Sequence, residues 1–524
     1  MLSTPMIVGL FAIWLCFLIL SYKGQPKGLW ILALANTGER FGYYTMLAVF
    51  VLFLGDKFGF DSSWASETFS TFLFFVYLLP LFGGILADKY GYSKMVVIGI
   101  LVMFLGYLIL SIPLDNGNPA LVAMVAGLLF VSLGTGLFKG NLQVMVGDLY
   151  NSQEYADKRD SGFSLFYMAI NVGALFAPTA AISVMKWAQD SLQYSPEDSY
   201  HFAFAVACLS VIASILIYFL GRKTFSHVIT SPKKTDSKKT DVVTGVEENP
   251  SDTKERIICL CLVFAVVIFF WMAFHQNGLT LTWFADEYTA SSASGVLSML
   301  FDVRNLLAGI FIVYGTFGLF QTKGLPRVLS VIMILASIFY LCNMLPVEGA
   351  EPTSLSAPIY QHFNACFVVM LTPISIALFG WLGRIGKEPK APVKIGLGML
   401  VAAGAYLMLT LSCVGQPLAD ATNHTHVADL SPTLLVNAYL ILTFAELLLS
   451  PIGISFVTKV APNKYKGMMM GGWFVATAIG NKLVSIPGHM WGMDLTIVWG
   501  VLMVICVVAA LFIFTIIKKL NKVS

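Results

Sequence analysis

The sequence predicts an all-α membrane protein: two six-helix bundles, an extra helical hairpin between two of their spans, and a further span at the N-terminus. Three observations carry this. Of 524 residues, 57% are hydrophobic and only 12% are charged, with mean hydropathy +0.79, whereas soluble domains usually carry ~25% charged residues. Apolar runs near the ~20 residues needed to cross a bilayer recur along the whole chain. A single long polar stretch divides the main runs six and six.

Taken in order, the main spans are 28–54, 66–87, 94–113, 119–149, 160–186 and 201–221, then 257–285, 359–383, 393–414, 433–459, 465–488 and 493–517. The expected organisation is an N-terminal hydrophobic segment (1–27), a first bundle (28–221), a linker (222–256), a second bundle (257–517) and a tail (518–524). The second bundle contains an extra hairpin, 305–345, whose arms 305–322 and 326–345 are joined by the turn TKGLPR. Segment 5–21, PMIVGLFAIWLCFLILS, reads as an extra span; no Lys or Arg precedes it, which speaks against an ordinary signal peptide. The linker lacks apolar periodicity and is rich in Lys, Ser, Thr and Asp, so it reads as a flexible connection.

Lys and Arg set the orientation. With residue 28 on the cytoplasmic side, about 26 of the 32 basic residues lie inside and about 3 outside, provided the hairpin crosses twice. The expected location is the cell (inner) membrane, multi-pass, with linker and C-terminus cytoplasmic. Formal net charge is +3 and no basic tract is interleaved with aromatics, so no nucleic-acid partner is expected. The eight cysteines fall in apolar stretches without disulfide or metal spacing and read as small buried hydrophobes. The outer loop ADATNHTHVADL brings His424, His426, Asp420 and Asp429 together, but without a Cys or a helical histidine pair, so no metal is expected. Asn423 opens a formal glycosylation sequon there. Lys482 is expected to snorkel towards the outer surface.

The first main span contains ANTGERFGYYTM. Asn36, Glu39, Arg40, Tyr43 and Tyr44 follow i, i+3, i+4, i+7, i+8 spacing and share one helix face. A charge at the bilayer centre costs about 2.5–3.5 kcal/mol even on the lenient insertion scale. That face must therefore meet protein or a watery cavity. A Glu–Arg pair that only locks helices together is the plainer reading, but packing does not call for two phenols and an Asn beside it. Other intramembrane polar residues are few: Lys139 in GTGLFKGN, Tyr167 and Asn171 in FYMAINVGALF, Trp271 and His275 in FFWMAFHQNG, Asn364, Glu446 with Ser450, and Trp473. Pro178, Pro373 and Pro451 are expected to interrupt their helices. The first half supplies Arg40 and Lys139 and the second supplies Glu446, so the guest that fits is a zwitterion. Its carboxylate would meet Arg40 and Lys139 and its ammonium Glu446, with Tyr43, Tyr44, Tyr77 and Trp473 as amphipathic walls.

Two six-span halves joined by a polar linker resemble the major facilitator superfamily. GGILADKYGYSK (83–94) is similar to that superfamily's loop between its second and third helices, with Gly84 read as permitting close packing and Asp88 as a cap or pair. GERFGYY, GTGLFKGN…VGDLY, FYMAINVGALF, the FW..F.Q pattern and AELLLSPIG together resemble the proton-dependent oligopeptide transporter (POT/PTR2) family over about residues 28–517.

The resemblance implies import of di- and tripeptides by proton symport through alternating access. It implies that Arg40 and Lys139 hold the peptide carboxylate, that Asn171, Asn364 and Glu446 receive its amino terminus, and that Tyr43, Tyr44 and Tyr77 line the pocket; the polar pattern of the spans adds Asn36, Trp271, Ser450 and Trp473 to the expected lining. Glu39, His275 and Glu446 are the candidates for proton coupling. The chain looks like an atypical branch: Asn36 replaces the first Glu of the family's Glu-x-x-Glu-Arg, His275 stands where a Glu is usual, Gly140 follows Lys139 where Pro is common, and the extra hairpin follows the seventh span rather than the sixth. Nearness to Glu446 is expected to tune His275. Alternatives are a carrier of anions or modified amino acids, a peptide exchanger without proton coupling, or a non-transporting membrane sensor or scaffold. No enzyme signature, cofactor or nucleotide-binding loop is read, and the expected state is a monomer in the lipid bilayer.

Overall fold

A computed structural model of the protein describes residues 3–228, 250–347, 349–462 and 465–523. The first part is α1 (Ser3–Ser21), α2 (Lys27–Phe58), α3 (Ser62–Tyr90), α4 (Tyr92–Leu110), α5 (Asn118–Asp148), α6 (Arg159–Leu192) and α7 (Pro196–Leu220). The second part is α8 (Pro250–Phe274), α9 (Thr280–Glu287), α10 (Val303–Gln321), α11 (Leu325–Asn343), α12 (His362–Arg384), α13 (Ala391–Ser412), α14 (Pro432–Val460), α15 (Lys466–Leu483) and α16 (Leu495–Thr515). Among the described residues, fourteen helices are long and apolar enough to cross a membrane, the α8–α9 pair counting as one. The span expected at 465–488 is not one of them. Its helix, α15, carries Gly, Thr and Asn because it packs against α3 and α8 rather than lipid.

The helices form two bundles. In the first, α2 packs on α6 and α7, and α5 packs on α3 and α4. In the second, α13 packs on α14 and α16, and α15 on α8. The halves meet along α3–α15 and α6–α12. The loops at one end carry the basic residues of 88–94, 158–159 and 384–394 and define the basic end. At the far end, turns are fastened by caps: Asp61 accepts from Trp64 N at 2.8 Å, Ser195 from Asp198 N at 3.1 Å and Asp494 from Thr496 N at 2.8 Å.

The N-terminal helix and the extra hairpin form one appendage. Phe17 of α1 lies against Gly318, and Trp14 stacks near Phe311 and Tyr314. The neck of the insertion is closed by an antiparallel pair, β1 (Ser292–Ala293) and β2 (Thr353–Ser354), with Ser292 opposite Ser354. Phe11 also meets Phe176 of α6, so the appendage touches both halves.

Several expectations need correction. Residues 229–249 of the linker lie outside the described residues. Of its flanks, Arg222–Val228 forms two 3-10 turns that meet at a kink at the fully buried Phe225, and α8 already begins at Pro250. The tail is not separate: Ile517–Val523 is helical and buries Leu520. Cys16, Cys261 and Cys342 are exposed while the other five are buried, and all eight are free. Pro178, Pro373 and Pro451 do not interrupt α6, α12 and α14, which run through them. The actual break is in the seventh main span, where His275–Gly278 is a 3-10 turn between α8 and α9.

In the 83–94 stretch, Gly83 rather than Gly84 makes the close contact. A Cβ on Gly83 would lie 2.0 Å from the Gly136 carbonyl oxygen of α5, while Gly84 faces open space. The side-chain amide of Asn141 donates to the Gly83 carbonyl at 3.1 Å, and Asp88 accepts from the Tyr92 hydroxyl. Because the obstacle at Gly83 is backbone, Gly83→Leu should cost at least the ~1–3 kcal/mol typical of overpacking. Gly84→Leu should be neutral, and thermal unfolding of the detergent-purified proteins, followed by size-exclusion chromatography, measures the contrast.

Candidate functional site

Between the bundles lies a cavity. It is lined from α2 by Arg40, Tyr43 and Tyr44, from α3 by Tyr77, from α5 by Lys139 and Gln143, and from α6 by Tyr167 and Asn171. The second half contributes Trp271, His275, Asn364, Glu446, Ser450 and Trp473. Twelve of the residues expected at the site are therefore brought to one cavity. Asn36 and Glu39 are not. Asn36, one turn closer to the basic end than Arg40, is buried under the neighbours of α2, and its amide nitrogen has no partner among the described residues. Glu39 lies fully buried behind the wall.

Glu39 and Arg40 form a two-point ion pair, Nε to Oε2 at 2.5 Å and Nη2 to Oε1 at 2.6 Å. Two donors of the guanidinium fork are thus committed, and its carbon sits 4.8 Å from the Tyr43 ring centre. With Arg40 balanced locally, Lys139 is the cation of the first half, its ammonium 4.1 Å from the centre of the Tyr77 ring. A phenol face provides a diffuse electrostatic partner without supplying a counter-charge. Across the cavity, the Asn364 amide donates to Glu446 at 3.0 Å and to Thr443 at 3.1 Å. Asn171, which also lines the cavity, donates its amide to the Tyr167 carbonyl at 3.1 Å. One wall thus carries an ammonium and the other a carboxylate.

His275 begins the break in the seventh span. Its ring stacks on Trp271 at 4.9 Å and 19°, and lies 5.8 Å from Tyr77 across the interface between halves. Its Nδ1 bonds the Asn481 side-chain oxygen at 2.5 Å. The expected partnership with Glu446 is not formed, because Glu446 bonds Asn364 and His275 is held by α15. Neither is His275 bonded to Gln276, whose amide donates to the Met272 and Val484 carbonyls at 3.0 and 3.1 Å.

Sequence reasoning did not single out Gln361, Asn277 or Thr477, which also line the cavity, nor Asn481 behind it. Two signals point to them: Trp473, Thr477 and Asn481 follow i, i+4, i+8, and Gln361 precedes Asn364 by three. Gln361 donates to the Ala48 carbonyl of α2 at 3.2 Å and so joins the halves. The outer-loop histidines are engaged within protein: Nδ1 of His424 bonds Glu287 at 2.7 Å, and His426 bonds Asp429 at 3.0 Å. The expected snorkelling of Lys482 is also overturned, since its ammonium bonds Glu67 and Thr71 of α3.

A family model described as the POT family matches residues 93–246 and 349–490, more than half of the chain. The chain belongs to the POT family. A "Di-/tripeptide transporter" of Lactococcus lactis is 28% identical over 488 residues, covering 87% of this chain and 88% of the relative. A "Peptide transporter YePEPT" of Yersinia enterocolitica is 26% identical, with 90% and 89% covered. A crystal structure of a peptide transporter POT in complex with sulfate superposes with a TM-score of 0.71 at 22% identity, covering 95% of this chain and 96% of that one. Another neighbour, a POT family transporter in complex with 5-aminolevulinic acid, has a TM-score of 0.71 at 20% identity, with 94% and 97% covered. In this POT-family chain the fold is thus shared over nearly its whole length; of the two departures that the sequence marked, His275 lines the cavity and Asn36 is buried outside it.

Truncating Arg40 alone strands a buried carboxylate, which typically costs ~3–5 kcal/mol. Arg40→Met should therefore destabilise the purified protein more than the double change Arg40→Met with Glu39→Gln. A double-mutant cycle on thermal unfolding measures this non-additivity, and simple addition of the single effects would contradict the pairing.

Proposed function

We propose that the protein is a secondary active transporter that imports di- and tripeptides by proton symport through alternating access, working as a monomer in the cell (inner) membrane. The observation that carries this reading is the placement of Lys139 and Glu446 on opposite walls of one cavity between the two bundles. A peptide is a zwitterion whose two charges can satisfy both walls, with its carboxylate at Lys139 and Arg40 and its ammonium at Glu446, Asn364 and Asn171. The aromatic walls of Tyr43, Tyr44, Tyr77, Trp271 and Trp473 can cover different side chains without demanding a specific one. POT-family membership and the printed names of the relatives support the same substrate class.

The basic end faces the cytoplasm on this reading, following the distribution of Lys and Arg. The cavity reaches towards that end, where Tyr167 is 43% and Ile454 39% exposed. Proton handling is assigned to Glu39, His275 and Glu446. A cargo carboxylate competes with Glu39 for Arg40, and substrate binding and proton binding are coupled through that pair without direct contact between the two.

Labelled dialanine uptake into proteoliposomes tests the function. Accumulation is expected only with an inwardly directed proton gradient; gradient-independent exchange would remove symport, and no uptake would remove the peptide. Arg40→Ala should reduce uptake to background while the protein still inserts. Glu446→Gln should weaken peptides with a free amino terminus far more than N-acetylated ones, and equal losses would contradict the ammonium site. His275→Gln should lower gradient-driven accumulation while counterflow persists, and full pH-driven accumulation would remove His275 from coupling.

A further inference from the structure

Two helix breaks lie against one another at the side of the cavity. The seventh span breaks at His275–Gly278, and α15 ends at Leu483 before a short helix, Ser485–His489. They are tied twice: Nδ1 of His275 to Asn481, and the Gln276 amide to the Val484 carbonyl. Asn481 is fully buried, and its amide nitrogen has no partner among the described residues. Its side chain is therefore held in place chiefly by His275.

The next residue along α15 reaches the other half. The Lys482 ammonium bonds Glu67, the Thr71 hydroxyl at 2.8 Å and the Ser70 hydroxyl at 3.5 Å, all on α3. His489 lies 3.8 Å from the same Glu67 carboxylate. Just beyond, Gly488 meets Ser66 so closely that a Cβ on the glycine would fall 1.8 Å from the serine oxygen. The amide of Ser62 donates to the Ala421 carbonyl of the opposing outer loop at 2.9 Å. Together these contacts shut the far end of the interface between the halves.

We propose that Asn481 and Lys482 act as one positioning unit that links the cavity to this outer seal. Asn481 holds His275 on one side and Lys482 grips α3 on the other, with no residue between them. A rotation of the end of α15 that releases the first bond carries the second with it. By linkage the effect is reciprocal: what loosens the His275–Asn481 bond weakens the seal, and opening the seal frees His275. The mutational part of this proposal stands on contacts alone; only its cargo arm rests on the peptide-transport reading.

The seal is read through Ser66→Cys in a background whose eight native cysteines are replaced. The Ser66 side chain is buried under Gly488, so a membrane-impermeant maleimide reaches it only when the halves part. Lys482→Gln and Glu67→Gln should each speed labelling by roughly tenfold, within the usual range of coupling between sites, and Glu67→Lys combined with Lys482→Glu should restore the slow rate. Asn481→Ala, which touches neither Glu67 nor Ser66, should also speed labelling, while Asn481→Asp, which keeps an oxygen for His275, should remain slow. If Asn481→Ala does not fold, Asn481→Ser takes its place in the same comparison. Fast labelling with Lys482→Gln but a background rate with Asn481→Ala or Ser overturns the link, and a background rate with Lys482→Gln overturns the seal. Dialanine should alter the labelling rate in the background protein and leave it unaltered in Asn481→Ala, with binding checked in each by thermal shift. A labelling rate that dialanine alters in Asn481→Ala as much as in the background protein overturns the link. Absence of dialanine binding to the background protein sinks the peptide reading instead, and the labelling comparison still decides the proposal.

Discussion

Ion pairing between Glu39 and Arg40 in the middle of a membrane-spanning helix is the constraint around which the rest is arranged. Neither charge can be turned to hydrocarbon without a penalty of several kcal/mol. Adjacent residues on a helix point in different directions, so both can be buried only if neighbouring helices enclose that part of α2. The first bundle does this, with α6 and α7 against α2. Pairing also neutralises Arg40, which leaves Lys139 to set the sign of its wall.

On the proposed reading, this arrangement turns a stability requirement into a switch. A buried ion pair contributes little net stability because desolvation offsets much of the Coulomb attraction. It can therefore be exchanged for another pair at small net cost, provided the incoming group is also a carboxylate. Glu446, held by Asn364 on the other side, poses the complementary demand for an ammonium. On the proposed reading, a cavity with one charge on each wall selects cargo carrying both and leaves the side chain to be accommodated by aromatic surfaces.

The second half adds a mechanical element. Its seventh span is broken at His275, and a helix break is where hydrogen-bond partners come from elsewhere. Here they come from the end of α15, which in turn grips α3 of the first half. The appendage of α1, α10 and α11 stands apart from this relay and is fastened at its neck by β1 and β2.

Hydropathy alone located eleven of the twelve expected main spans and both arms of the hairpin, because lipid imposes a length and a composition on each segment. It also exposed most of the cavity. A polar side chain in an apolar run must face inward, so Arg40, Lys139, Asn171, His275, Asn364 and Glu446 were visible one by one. What hydropathy could not supply was partnership. That His275 pairs with Asn481 rather than Glu446, that Lys482 crosses to Glu67 instead of snorkelling, and that Gly83 rather than Gly84 receives α5 depend on helix rotation. A rotation of one residue, about 100° on an α-helix, exchanges one neighbour for another while leaving the hydrophobic pattern nearly unchanged. The sequence by itself determined which residues must avoid lipid; only the packing of distant helices decided which of them would meet.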